Sequence, residues 1–356
     1  MEERFATLLA DYCLELKPGQ TLLVEAEPAA LPLLEPLHAV ALERGAYPIV
    51  QLFPAASSRP FFLYGEAWLD VPPAQLGLMR AVDASLRIES AQNPLELSDI
   101  PPERLSRFRK GWQPYQQERS KRRWCLTLYP TPGYAQQAGM PTAEFRTLVE
   151  RALYLDHPDP VLAWLELSRF QAALIERLQR AREIRLEAEG TDLRLRVEGR
   201  SWVNSDGRRN MPSGEVFTAP IETSVEGEVR FNLPSTALGQ RVRGVHLRFQ
   251  AGRVVEARAE EGEAYLRAML ETDAGARCLG ELGIGTNYGL SRPTGLVLYD
   301  EKIGGTVHLA LGQSYPETGG TNVSAIHWDL VLDLRPGGRI WVDGEVLQED
   351  GRFVGL

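Results

Sequence analysis

The triplet His327-Trp328-Asp329 is the most chemically suggestive pattern in the chain. In a β-strand residues i and i+2 leave the same face, so imidazole and carboxylate would project together from one rigid element. Among apolar residues such a pair is costly to bury unless it is hydrogen-bonded or holds a metal ion. Spacing alone leaves both readings open. His308 ends a glycine-rich approach, Gly304-Gly305-Thr306-Val307-His308, and enters an apolar strand. Two glutamates stand in similar company, Glu215 within Ser213-Gly214-Glu215-Val216-Phe217 and Glu281 within Leu279-Gly280-Glu281-Leu282-Gly283. Each follows a glycine, where a backbone can approach closely. Singly, either glutamate is an ordinary partner for a nearby arginine. With His308, His327 and Asp329 they form a set of carboxylates and imidazoles able to hold two divalent ions. The other histidines read as structural or solvated: His38 in a helical segment, His157 in a polar loop, His246 in a hairpin strand.

These groups need a scaffold, and the second half of the chain supplies alternating strands. Ile184–Glu189 and Leu193–Glu198 alternate apolar and polar residues across the turn at 190–192, which predicts an antiparallel hairpin. Val245–Phe249 and Val254–Arg258 repeat the pattern. Glu263–Ala276 reads as a helix, and Leu296–Tyr299, Val307–Leu311, Trp328–Asp333 and Arg339–Val342 as further strands. Residues 183–356 are therefore expected to form an α+β metal-binding domain with a mixed or antiparallel sheet. Residues 1–182 have another texture. Thr21–Glu25, Tyr47–Phe53, Ala81–Ile88 and Trp124–Tyr129 read as strands, with helices at Leu31–Arg44, Pro102–Arg122, Thr142–Tyr154 and Val161–Arg182. Strands separated by helices of this length predict an α/β scaffold with a mostly parallel sheet. It carries no GxGxxG, GxxxxGK[ST] or GxSxG fingerprint.

Composition bounds the function. A chain of 356 residues, 44% hydrophobic and 24% charged, fits two soluble globular domains. The net charge of −9 argues against general nucleic-acid binding, which needs a basic footprint. The basic run Arg119–Arg123 reads as a solvated helix end. Cys13, Cys125 and Cys278 are odd in number and widely spaced, as expected of buried thiols in a reducing compartment. No apolar run is long enough to span a bilayer, and the opening residues lack the pattern of a secretory signal. A cytoplasmic protein without membrane or nucleic-acid partners is the expectation.

Four ordered blocks resemble the aminopeptidase T family of metallopeptidases: NMPSGEVFTAPIETSVEGEVRFN (Asn210–Asn232), ETDAGARCLGELGIG (Glu271–Gly285), LYDEKIGGTVHLALGQSYP (Leu298–Pro316) and NVSAIHWDL (Asn322–Leu330). The first half is similar more diffusely, best at KPGQTLLVEAE (Lys17–Glu27). The resemblance implies that Glu215, Glu281, His308, His327 and Asp329 are metal ligands, with Glu281 the bridging carboxylate. It places Tyr315 beside the metals. Glu301 matches the glutamate of the family's D-E-N segment, but Lys302 follows it here and the step to His308 is about two residues longer. The stretch between Tyr315 and His327 is also shorter than in typical members.

Two ions, whether zinc, cobalt, manganese or magnesium, would activate a water and polarise a scissile carbonyl. Glu281 or Glu215 would take the water's proton, and Tyr315 would donate to the oxyanion. Short peptides with a free N-terminus are the implied substrates. An alternative uses His308, His327 and Asp329 alone, the two-His-one-carboxylate set of mononuclear iron(II) enzymes, as in ring-cleaving dihydroxypyridine dioxygenases. The resemblance also implies a homodimer, and aromatic residues such as Trp328 and Trp341 look surplus to a single layer.

Overall fold

The computed structural model describes residues 1–53, 55–65, 69–237 and 240–355. The chain divides into two compact units, Met1–Ala163 with Gly207–Pro212, and Trp164–Asp206 with Ser213–Leu356. The division falls inside the helix Pro160–Leu178, whose later residues Leu174 and Leu178 enter the core of the second unit. The texture change read from sequence after Arg182 marks the end of that helix.

In the first unit a parallel sheet runs in the order Tyr47–Leu52, Thr21–Ala26, Ala84–Glu89, Arg123–Leu128, Asn210–Met211. Thr21–Ala26 pairs on both sides and is buried almost throughout, which explains its unbroken apolar run. The helix expected over Pro102–Arg122 is two helices, Pro102–Gly111 and Gln113–Ser120. Pro114 lacks the N–H that would continue the first, so the chain restarts with proline in the opening turn of the second. The strand expected from Ala81 begins at Ala84, because the helix Pro73–Ala81 runs that far.

The second unit pairs its strands antiparallel throughout. An eight-stranded sheet contains the expected hairpin as Glu183–Ala188 and Thr191–Arg196, turning at Gly190 with φ +69°. A five-stranded sheet runs His327–Asp333, Thr306–Gly312, Leu279–Gly285, Glu215–Thr218, Val203–Ser205. Its apolar face adds Leu282, Ile284, Leu309, Leu330 and Leu332 to the same core as Leu186 and Leu193 of the larger sheet.

Three further expectations need correction. Leu296–Tyr299 is not a strand; Val297–Asp300 is a short helix. Asp300 accepts from the backbone N–H and hydroxyl of Thr294 and from the N–H of Gly295, folding the segment back on itself. The helix expected over Glu263–Ala276 stops at Leu270, and Asp273 then accepts from the N–H groups of Gly275 and Ala276. The surplus assigned to Trp328 is also absent, since the side chain is buried in the core and donates from Nε1 to Ser235. Trp341 is partly buried and donates to Glu187. The three cysteines are free and buried. Among the described residues no helix is long and apolar enough to cross a membrane.

Candidate metal centre

The polar residues singled out by sequence emerge from the face of the five-stranded sheet opposite its core. Strand alternation does most of this work. In Thr306–Gly312 the odd-numbered residues Val307, Leu309 and Leu311 enter the core, so His308 faces the other way. In His327–Asp333 Trp328, Leu330 and Leu332 go inward, and His327 and Asp329 go out together. Register then aligns them: Ala310 lies between Glu281 and Asp329, Gly312 opposes His327, and Gly285 opposes Glu215. A β-bulge between Leu279 and Glu281 keeps Leu279 in the core while turning Glu281 to the site.

Gly283 sits directly opposite His308. A Cβ there would lie 1.9 Å from His308 Cε1, so the imidazole occupies the space that a side chain would fill. The strand's other glycines have a different reason, since a Cβ at Gly280 would meet the carbonyls of Gln313 and Gly312, and one at Gly285 that of Ile303.

His308 Nε2 is 3.1 Å from Glu281 Oε1 and 3.6 Å from Glu215 Oε2. His327 Nε2 is 3.3 Å from Glu281 Oε2 and 3.6 Å from Asp329 Oδ1. Glu281 thus turns one oxygen to each ring. On the far side, Nδ1 of His308 is 3.2 Å from the carbonyl of Glu301, and Nδ1 of His327 is 2.8 Å from that of Gln313. A carbonyl only accepts, so each Nδ1 carries its proton and each neutral ring presents a lone pair at Nε2. Two lone pairs aimed at carboxylate oxygens require a cation between them: a proton, or a metal ion.

Glu215, Glu281, His308 and Asp329 are all buried. Burial opposes charge on both imidazoles, yet the Glu281 hydrogen bonds and the surrounding carboxylates prevail. They raise His308 to about 9 and His327 to about 10. Burial would likewise push Glu281 up, but its bonds to the two imidazoles draw it down. Burial holds Glu215 and Asp329 above the ordinary carboxylate range, with Glu301 adding to both. Glu215 Oε2 and Asp329 Oδ1 have no hydrogen-bond partner among the described residues. Buried carboxylate oxygens left in this way are the donors a metal ion satisfies. Three groupings bring one donor atom from each member within 4.8 Å of the others: Glu215–Glu281–His308, Glu281–His327–Asp329 and Glu301–His308–Asp329. The residues present fit a divalent metal.

Glu301, despite its longer spacing to His308, comes into this cluster. Lys302 is the residue whose importance the sequence concealed. It is buried, pairs with Glu215 Oε1, and lies 2.5 Å from Glu301 Oε1. The available signal was its place directly after Glu301, where the family resemblance leads one to expect asparagine. Tyr315 borders the site, its ring centroid 5.1 Å from that of His327 and 5.6 Å from that of Phe217. Burial and the adjacent carboxylates raise its hydroxyl pKa, keeping it a donor. His246 is elsewhere, paired with Glu228 at 3.1 Å.

A family model described as thermophilic metalloprotease (M29) matches residues 1–344. The chain is 31% identical to Aminopeptidase T of Thermus aquaticus, over 99% of this chain and 96% of that protein. It is 28% identical to Aminopeptidase 2 of Geobacillus stearothermophilus, over 93% and 91%. The solved structure of wild-type AmpT from Thermus thermophilus matches with a TM-score of 0.84 at 27% identity, covering 99% of this chain and 98% of that one.

Proposed function

The chain belongs to the thermophilic metalloprotease (M29) family, and on that premise we propose a metal-dependent aminopeptidase that uses two divalent ions to release N-terminal residues from short peptides. The observation that carries this reading is Glu281, with one oxygen toward His308 and the other toward His327. A carboxylate so placed can serve two ions at once. Glu215 and His308 would complete one position, and His327 and Asp329 the other, with Glu301 beside both. Carboxylate and imidazole donors suit zinc, cobalt or manganese, and tolerate magnesium.

Bound divalent ions would supply Lewis acidity and a water of lowered pKa. The chain's own groups do the rest. The water's proton would pass to Glu215 or Glu281, the two carboxylates that stand against the His308 ring. The same carboxyl would then deliver that proton to the leaving amine. Tyr315, protonated at neutral pH, would donate to the developing oxyanion. Each imidazole is held by its Nδ1–H on a backbone carbonyl, so neither ring turns during the reaction.

The iron(II) dioxygenase alternative is not favoured. The relatives are named aminopeptidases, and Glu215 and Glu281, which a single iron would not need, lie in the same cluster. A homodimer enclosing the site belongs to the proposal through the family resemblance, and sedimentation velocity tests it. The function itself is tested by chelation, readdition of zinc or cobalt, and release of amino acids from a small peptide panel. Loss and recovery of release are expected. One tightly bound iron with oxygen-dependent turnover would refute the reading.

A further inference from the structure

Lys302 is 2% exposed and touches two carboxylates that the centre has at its disposal, Glu215 and Glu301. It is held there from the backbone outward. Its N–H donates to the Tyr299 carbonyl at 3.0 Å, and its own carbonyl accepts from Asn287 N–H at 3.0 Å. Asn287 is itself pinned through its side-chain amide to the Ser213 carbonyl, two residues before Glu215. The ammonium is therefore a built-in cation, covalently tethered and unable to exchange with solvent.

Its contacts divide the donor set unevenly. Glu215 gives Oε1 to Lys302 and retains only Oε2 for anything else. Glu301 gives Oε1 to the same ammonium. Among the described residues the carboxylates of Glu281–His327–Asp329 make ion pairs with imidazoles alone, and Asp329 Oδ1 has no hydrogen-bond partner. A cation arriving beside Glu215 meets a carboxylate already half neutralised and a fixed positive charge on the adjoining oxygen. A cation arriving beside Asp329 has Glu301 as a neighbour, but among the described residues neither Glu281 nor Asp329 makes an ion pair or hydrogen bond with Lys302.

Building on the two-ion reading above, we infer that Lys302 makes the two positions unequal: Glu281–His327–Asp329 binds its ion tightly and permanently, and Glu215–Glu281–His308 binds a second, exchangeable ion. One unit charge near contact distance in a partly solvated site is worth about a hundredfold or more in affinity. The enzyme would then leave purification with one ion per chain and take up the other from the medium.

The test uses the full chain, stripped with chelator and dialysed against graded free cobalt(II). Bound metal per chain and the cobalt visible absorption are read at each step. The wild type should fill one position, and the second only at about a hundredfold higher free cobalt. Asp329→Asn should erase the tight phase, and Glu215→Gln only the weak one. Lys302→Gln, which keeps a hydrogen-bond donor without the charge, should narrow the gap at least tenfold while circular dichroism shows an unchanged fold. Two ions bound equally by the wild type, with peptide hydrolysis intact, would overturn the inference alone. So would a tight phase that follows Glu215 rather than Asp329, or a folded Lys302→Gln with the gap unchanged. The wild-type titration decides even if Lys302→Gln fails to fold. No cobalt bound and no hydrolysis would overturn the aminopeptidase reading and this inference with it.

Discussion

Gly283→Ala probes the centre without touching any candidate ligand. The added Cβ would stand 1.9 Å from His308 Cε1, 2.2 Å from Nε2 and 2.7 Å from Nδ1. Reaching the 3.4 Å of ordinary contact requires the ring to retreat by 1.5 Å, the difference between 3.4 and 1.9 Å. A flexible side chain would swing aside, but this ring is 1% exposed and fixed by its Nδ1 contact with Glu301. Retreat would take Nε2 away from Glu281 Oε1 and Glu215 Oε2. Misplacement by about 1 Å can cost on the order of a hundredfold in rate, and overpacking typically costs about 1–3 kcal/mol of stability. The expected outcome is a folded protein with at least about a hundredfold lower kcat/KM on a dipeptide amide, and weaker metal retention. Thermal melting, metal content after dialysis and initial rates measure these separately. Gly77→Ala is the control, because its Cβ would meet nothing within 4 Å in a helix, and it should leave the rate unchanged. A Gly283→Ala enzyme with normal rate and normal metal content would show that His308 does not work from the position described.

Other substitutions divide the roles. Glu281→Gln should nearly abolish turnover in a chain that stays folded, whereas His246→Ala, whose partner Glu228 is far from the chemistry in sequence and sheet, should leave turnover nearly untouched; initial rates and circular dichroism decide both. Glu301→Gln should weaken metal retention by roughly 10–100-fold, the loss typical of groups that support ligands; unchanged retention in equilibrium dialysis would remove Glu301 from the centre. Tyr315→Phe should lower kcat by roughly 10²–10³ with KM little changed, as for loss of an oxyanion donor; a change confined to KM would make Tyr315 a substrate contact instead.

The site was legible where side-chain periodicity carried the information. His327 and Asp329 share a face because strands repeat every two residues, and Glu215, Glu281 and His308 stood out as polar groups in apolar runs. Lys302 was not legible as part of the cluster, because its position depends on how Val297–Asp300 folds, and that segment looked like a strand. Its helix is imposed by Asp300 gathering the donors of Thr294 and Gly295, a contact no hydropathy pattern encodes. Leu279–Gly285 escaped for a related reason. Glycine is a poor strand former by itself, and here pairing on both sides, with Glu215–Thr218 and Thr306–Gly312, makes the strand. The parallel sheet was readable from its four apolar strands, but its fifth, Asn210–Met211, is too short to show any period.

That two-residue strand has a bearing on biosynthesis. The ribosome makes the first four parallel strands and then Trp164–Asp206 before it delivers the residues that finish the sheet. Until Asn210 and Met211 arrive, Arg123–Leu128 is an open edge, and the Thr127 hydroxyl lacks the Met211 carbonyl that it meets in the finished fold. The N-terminal unit therefore cannot close its sheet until Trp164–Asp206, the first segment of its successor, has been made. A fragment cut at Arg182 would carry that open edge permanently and be prone to self-association through it. Glu215 lies only four residues past the closing strand, so sheet completion and delivery of the first candidate ligand are nearly simultaneous events in the life of the nascent chain.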